Sequence, residues 1–350
     1  MSTPGATAAS EAVLEVEDLH VALRRGSGTV PIIDGASYTV MPQESVALVG
    51  ESGAGKSVSV RAVLDLLDRR RFEVTGSVRL CGVELLGMPA KERRRHISKV
   101  ASLVFQDPTR ALNPTMRVGA QITEAMTINP DPDKRLSTDE ARRRAVQLMR
   151  DVGIADPEER FFAYPHQLSG GMRQRIVIAI ALSLEPKVIF CDEPTSSLDV
   201  TTQALIMDLL DTLREQRGIS LLLITHDLAL ASSRVDRVIV MYGGHLVEAL
   251  PAEGLFERAA MPYTRALLRA VPDPDSPELL APLAPALGPR GARGACVYST
   301  RCDRAQPFCV DHAPDYVEIE PGHRCRCWYP GAYDGPPSEH LLASAEAARR

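Results

Sequence analysis

The chain is poor in aromatic residues, 5% with a single tryptophan, and it has no long apolar run. A membrane-spanning helix needs roughly 18 to 20 uninterrupted apolar residues. The best candidate, Ile176 to Leu184, is closed off by Arg175 and Glu185, so the chain is not expected to cross a bilayer. Nor is there a basic excess. Lys+Arg number 40 against 45 Asp+Glu, a net charge of -5, which supplies no global field for gripping nucleic acid; no nucleic-acid partner is expected. The N-terminal MSTPGATAAS has no basic start and no apolar run, so it does not read as a secretion signal, and the expected compartment is the cytosol. Seven cysteines are too few for a disulfide-built scaffold of 350 residues, yet five of them lie between Cys296 and Cys327, and that clustering needs a cause. The remaining composition, 45% hydrophobic and 24% charged, is that of a globular protein with room for one large domain or two ordinary ones.

The pattern along the chain predicts an α/β fold. After a loose tail over 1–10, Val13 to Leu23 and Pro31 to Val40 read as antiparallel strands, and Gly76 to Glu84 as a further strand pair. Val46 to Val49, Val188 to Cys191 and Ser220 to Ile224 are short continuous apolar runs of the kind shown by buried parallel strands. A helix is expected from Ser57 to about Asp68. Another is expected from Thr202 to Gln216, with Leu205, Leu209 and Leu213 repeating on one face and Gly218 stopping it. Polar helices, Arg117 to Ala125 and Thr138 to Val152, fill a helical insertion at about 108–178. Val238 to Met241 and His245 to Glu248 flank Tyr242-Gly243-Gly244, a hairpin signal. Six prolines between Pro272 and Pro289 mark a linker over 271–292, followed by a cysteine-rich module at 293–332 and a tail at 333–350.

Gly50-Glu51-Ser52-Gly53-Ala54-Gly55-Lys56-Ser57 fits a phosphate-binding P-loop and lies between a buried strand and a helix, where such a loop must lie. Glycines let backbone N–H groups turn onto phosphates, and the helix N-terminus adds its positive end. Lys56 would contact the β- and γ-phosphates, and Ser57 would ligate Mg²⁺. Lys187 to Glu193 is an apolar strand ending in two carboxylates. Strand ends of a parallel sheet face the ligand crevice, so both acids should arrive beside the P-loop: Asp192 as Mg²⁺ partner, Glu193 to position or deprotonate an attacking water.

Leu168-Ser169-Gly170-Gly171-Met172-Arg173-Gln174 resembles the signature motif of ATP-binding cassette (ABC) ATPases, and the other cassette elements follow in order. Gln106 in Val104-Phe105-Gln106-Asp107 matches the Q-loop, Ser196-Ser197-Leu198-Asp199 resembles the D-loop, and His226 resembles the switch histidine. The resemblance spans roughly 13–265. It implies a P-loop NTPase (RecA-like) parallel-sheet core with an antiparallel β subdomain, a helical subdomain and a small irregular C-terminal extension. ATP and Mg²⁺, held by Ser57, Gln106 and Asp192, are the implied substrate and metal. The signature residues Ser169, Gly170 and Gly171, with Asp199, would face the ATP of an opposite subunit. Asp107 to Thr115 and Tyr164 to Gly171 look like the ATPase subunits of oligopeptide, dipeptide and nickel importers. This implies a second cassette subunit, heterodimeric by family habit, two transmembrane permease subunits and an extracytoplasmic substrate-binding protein. It also implies a place on the cytoplasmic face of the inner membrane, with Asn113 to Gln121 as the permease-docking surface. A soluble cassette ATPase, such as a component of phosphonate metabolism, is the alternative. One departure stands out: Leu23 occupies the place where many cassettes stack adenine on an aromatic ring.

The cysteine spacing lacks the paired C-x-x-C pattern of common zinc sites, so spacing alone names no metal. The importer family often carries a similar C-terminal run closing in His-x-x-x-Cys. Matched to it, Cys296, Cys302, Cys309 and Cys327 would ligate a [4Fe–4S] cluster, with Cys325 extra. Zinc, and reduced structural thiols or disulfides, are the other readings of this segment.

Overall fold

The structure, a computed structural model, describes residues 12–271 apart from 27, 130–134 and 197, and residues 294–331. The expected tails at 1–10 and 333–350, the proline-rich linker beyond Val271, and Ser197 of the D-loop lie outside the described residues.

Two sheets organise the chain. The smaller has the order β2-β1-β4-β5, from β1 (Leu14–Arg25), β2 (Gly28–Val40), β4 (Phe72–Leu80) and β5 (Val83–Glu84), all antiparallel. Leu14, Val16, Leu19 and Val21 of β1 all face the core, although the step from Val16 to Leu19 breaks a period of two. A register shift there, with Asp18 at φ 47°, absorbs the odd residue and keeps the apolar side chains on one face.

The larger sheet has eight strands in the order β11-β12-β10-β9-β3-β8-β7-β6. Its centre is parallel: β6 (Ala101–Val104), β7 (Val188–Asp192), β8 (Ser220–Thr225), β3 (Ser45–Val49) and β9 (Arg237–Tyr242). Every residue of β3, β7 and β8 is buried, which accounts for their unbroken apolar sequence. The parallel register sets Val49 beside Thr225 and Asp192 beside Ile224, so the three strands end together along one edge. β10 (His245–Pro251) returns antiparallel to β9 through the expected Tyr242-Gly243-Gly244 turn.

The insertion folds into helices whose apolar faces join one core with β6, β7 and β8 of the central sheet. Val118–Thr127, Thr138–Asp151 and Gly170–Leu182 bury Ile122, Met126, Ala145, Leu148, Met149 and Ile176 together. The helix after β7 differs from expectation. It runs Val200–Arg217, two residues earlier than its apolar repeat suggested, because Asp199 caps it. Its core face is Ile206, Leu210 and Leu213, while Leu205 is 50% exposed. Gly218 ends it at φ 63°, as expected.

The cysteine-rich stretch was expected to be a small irregular extension. Instead it lengthens the central sheet. β12 (His323–Cys325) pairs with β10 through Glu248↔Cys325 and Ala249↔Arg324, and β11 (Val317–Glu320) pairs with β12. Cys296, Tyr298, Cys309, Cys325, Cys327 and Trp328 share one apolar core with Val240, Val247, Leu250 and Tyr263 of the preceding chain. The edge of β10 offers unpaired N–H and C=O groups, and a three-residue strand satisfies them. So short a strand leaves no periodic trace in sequence.

Candidate active site

The P-loop connects β3 to the helix Lys56–Val63. Gly50 has φ 149°, and a Cβ there would stand 2.2 Å from the carbonyl oxygen of Met241, so only glycine allows the loop to leave the strand this way. Lys56 is buried and donates to the carbonyls of Gly50 (2.7 Å) and Glu51 (3.0 Å). Burial lowers its pKa, partly countered by the carboxylates of Glu193, Asp192 and Glu51. No side chain caps this helix at Gly55, so its first N–H groups are open to an anion.

The acids arrive where the strand ends predict. Ser57 Oγ donates to Asp192 Oδ1 at 2.7 Å, across 135 positions of sequence. Arg61 lies 3.8 Å from the other oxygen of Asp192. Glu193 sits one residue beyond β7 with φ 48°, a left-handed backbone that costs a non-glycine residue about 1 kcal/mol and is concentrated at functional sites. Its N–H is held by the carbonyl of Ile224 on β8 (3.0 Å). Its carboxylate accepts from Gln106 Nε2 at 2.8 Å and stands 3.5 Å from His226 Nδ1. His226 is 63% exposed, so it is not a core histidine satisfied by its surroundings. Four of the expected residues, Gln106, Asp192, Glu193 and His226, therefore converge on the edge that carries the P-loop.

The oxygen donors Ser57 and Asp192 suit a hard divalent cation. With its NH₂ given to Glu193, Gln106 has its amide oxygen to add.

Ser169, Gly170 and Gly171 are not brought to this edge. Ser169 caps the helix Gly170–Leu182, accepting from Met172 N at 3.3 Å, and no hydrogen bond joins the three to the P-loop among the described residues. They pack on the D-loop side: a Cβ on Gly171 would lie 2.8 Å from Thr202, and one on Gly170 3.5 Å from Leu198. Asp199 is exposed and accepts from Thr202 N and Oγ1 at 3.0 and 2.8 Å, bonds that hold its carboxyl below its ordinary pKa. The signature glycines thus pack against the residues around Asp199.

The expected docking segment is only partly available. Val118, Gly119 and Gln121 are buried, and Gln121 ties the turn together by bonding Asn113 N, Asn113 O and Met116 O. Asn113 to Thr115 and Arg117 remain exposed, with Phe105 and Phe162 as exposed aromatic residues of the same subdomain.

Sequence reasoning missed three residues that touch the site. Arg61 is one. Tyr263 Oη accepts the P-loop N–H of Glu51 at 2.9 Å, and Arg301 pairs with the Glu51 carboxylate. They lie 212 and 250 positions from Glu51, and no periodicity or spacing could have flagged them.

The four matched cysteines, Cys296, Cys302, Cys309 and Cys327, line a single small cavity with Pro262, Trp328 and Tyr329. Burial raises three of their thiols, Cys302 to about 11 and Cys327 to about 12. Among the described residues no group of three His, Cys, Asp or Glu side chains is placed to hold a metal ion. Four soft sulfur donors line this one cavity, the donor type that both an iron–sulfur cluster and zinc take.

The chain is 40% identical over 321 residues to the dipeptide transport ATP-binding protein DppD of Escherichia coli, covering 97% of that protein and 91% of this one. It is 40% identical over 317 residues to a putative peptide import ATP-binding protein of Brucella abortus, covering 94% of it and 90% of this chain. The chain belongs to the ABC transporter ATP-binding proteins. The ABC transporter family model matches residues 33–196 of this cassette, and the oligopeptide/dipeptide transporter C-terminal region matches 247–309. A 42% match to the oligopeptide transport ATP-binding protein OppD of Mycobacterium tuberculosis covers 90% of this chain but 51% of OppD, so the chain spans about half the length of that relative. Among solved structures, CbiO1 of Clostridium perfringens, part of the transporter complex CbiONQ, matches with TM-score 0.60 and 26% identity over 70% of this chain and 90% of that one. The dimeric bacterial cassette MJ0796 shares the fold at TM-score 0.60, with 24% identity over 68% of this chain and 98% of that one. No helix among the described residues is long and apolar enough to cross a membrane.

Proposed function

We propose that this cassette is the ATP-hydrolysing subunit of a membrane importer for oligopeptides or dipeptides, peripheral on the cytoplasmic side of two permease subunits. The meeting of Ser57 with Asp192, and of Glu193 with Gln106 and His226, at the ends of β3, β7 and β8 carries the ATPase reading. Substrate class rests on the relatives, whose names specify dipeptide, oligopeptide and peptide import.

ATP would lie on the P-loop with its phosphates over the open N–H groups, and Lys56 would leave the carbonyls of Gly50 and Glu51 to meet the β- and γ-phosphates. Ser57, Asp192 and Gln106 would hold Mg²⁺, which when bound spreads the negative charge of the β- and γ-phosphates. Glu193 orients and deprotonates the attacking water, while Gln106 and His226 keep its carboxylate aimed. Ser169, Gly170 and Gly171 of a second cassette would close over the γ-phosphate, since they do not meet the P-loop of their own chain. A heterodimeric partner and an extracytoplasmic binding protein belong to this reading. The exposed Asn113 to Thr115, with Arg117, would receive the permease. Cys296, Cys302, Cys309 and Cys327 would hold a [4Fe–4S] cluster that cross-links the C-terminal segment.

Affinity purification of Glu193→Gln with ATP from native membranes tests the reading. It should recover two permease proteins and a second cassette; recovery of soluble partners alone would refute it. Iron and sulfide analysis of anaerobically purified protein should give four of each per chain, and stoichiometric zinc without iron would reject the cluster.

A further inference from the structure

Glu51 puts a carboxylate into the P-loop. A carboxylate in a loop built to take a triphosphate should repel it. The structure holds this carboxylate in a two-pronged bridge to Arg301, Nη1 to Oε2 at 2.7 Å and Nη2 to Oε1 at 2.9 Å. Arg301 comes from the cysteine-rich segment, between Cys296 and Cys302, and its side chain is only 8% exposed. The guanidinium lies 5.7 Å from the ring centre of Tyr242 and 6.0 Å from that of Tyr298, and these rings pack with Tyr263 into a three-tyrosine cluster. Tyr263 in turn accepts the Glu51 N–H. Glu51 is thus gripped at its side chain by Arg301, at its N–H by Tyr263 and at its carbonyl by Lys56. When Lys56 turns to the phosphates, the grips of Arg301 and Tyr263 remain.

We propose that Arg301 is a positioning residue of the nucleotide site: it cancels and turns aside the charge of Glu51, so that the cysteine-rich segment sets how tightly the P-loop takes a nucleoside triphosphate. This rests on the P-loop's being the ATP site. A planar guanidinium stacked on aromatic rings is suited to the task, because it stays charged and presents a fixed fork to the carboxylate. Without it, an unpaired carboxylate stands in the phosphate loop, and the loop loses its tether to the sheet extension.

The test is equilibrium binding of MgATP to the full chain by calorimetry, in low and high salt. Arg301→Gln should raise Kd about thirtyfold, a deficit that shrinks at high salt because like-charge repulsion is screened. Arg301→Lys, which restores charge without the fork, should recover only part of the loss. Adding Glu51→Gln to Arg301→Gln should recover most of the affinity that Arg301→Gln alone loses, since the charge needing cancellation is gone. Calorimetry keeps the test valid should Arg301→Gln fold poorly, since misfolded chain lowers the bound stoichiometry and not the salt dependence of Kd in the folded remainder. Unchanged affinity in Arg301→Gln would overturn the proposal, as would a double variant as weak as the single at both salts. Failure of the parent chain itself to bind MgATP would instead refute the nucleotide reading on which the proposal stands.

Discussion

Replacing Glu193 by glutamine separates chemistry from architecture, because the amide keeps the shape of the carboxylate and loses only its basicity. Gln106 at 2.8 Å and His226 at 3.5 Å hold the two oxygens from different elements, so the side chain stays in place after the change. General-base catalysis contributes about 100- to 10,000-fold, or ~3 to 5 kcal/mol of barrier. Asp192 cannot substitute, since its carboxylate is already engaged by Ser57 at 2.7 Å and has Arg61 nearby at 3.8 Å. Stability should change by less than about 1 kcal/mol, the scale of one hydrogen bond. Glu193→Gly offers a control: it relieves the left-handed φ of 48° and should be equally inactive without being less stable. The assay is phosphate release at saturating ATP by the assembled transporter, alongside nucleotide binding. A rate loss under tenfold, with binding intact, would refute Glu193 as the base and point to His226.

The Ser169 cap distinguishes a local role from one across an interface. A lost N-cap costs about 1 kcal/mol of stability. Ser169→Ala should therefore shift a denaturant midpoint slightly but lower steady-state hydrolysis at least tenfold, and parallel small losses would leave only the cap. Cys191 is buried on β7 with its thiol pushed up to about 12, so it stays protonated at neutral pH. It should resist iodoacetamide in the native chain and react once the chain unfolds, read by mass spectrometry; native labelling at the rate of an exposed thiol would show that β7 opens locally.

The site was legible in sequence to the degree that it is made of strand ends. Val46 to Val49, Val188 to Cys191 and Ser220 to Ile224 announce buried parallel strands, and the residues just beyond them, Lys56, Asp192, Glu193 and His226, line the shared edge. Burial on both faces makes the run unbroken, and the unbroken run locates the edge. The helix face at Leu205 was misassigned because a stripe of leucines and the true stripe of Ile206, Leu210 and Leu213 lie side by side on one helix. Arg301 and Tyr263 were invisible for another reason. Their roles come from packing of the last elements against the loop, and neither residue type is unusual where it stands.

Whether the cysteine-rich stretch is an appendage or part of the cassette can be decided at Trp328. This side chain is 2% exposed, donates Nε1–H to His312 O at 2.9 Å, and meets the Phe308 ring at 5.0 Å between centres. Truncation to alanine removes a large buried side chain, at about 3 to 5 kcal/mol. An appended module would take that loss alone, and a melting curve would gain an early transition while the cassette melted as before. A segment that shares sheet and core with β9 and β10 cannot melt separately, because releasing β12 uncovers the edge of β10 and the apolar side of Val247 and Leu250. Trp328→Ala should therefore lower a single transition of the whole chain, and MgATP should raise that same transition. Two resolved transitions, with only the later one responding to nucleotide, would show that the segment folds apart from the motor and would remove the mechanical basis for Arg301 acting on Glu51.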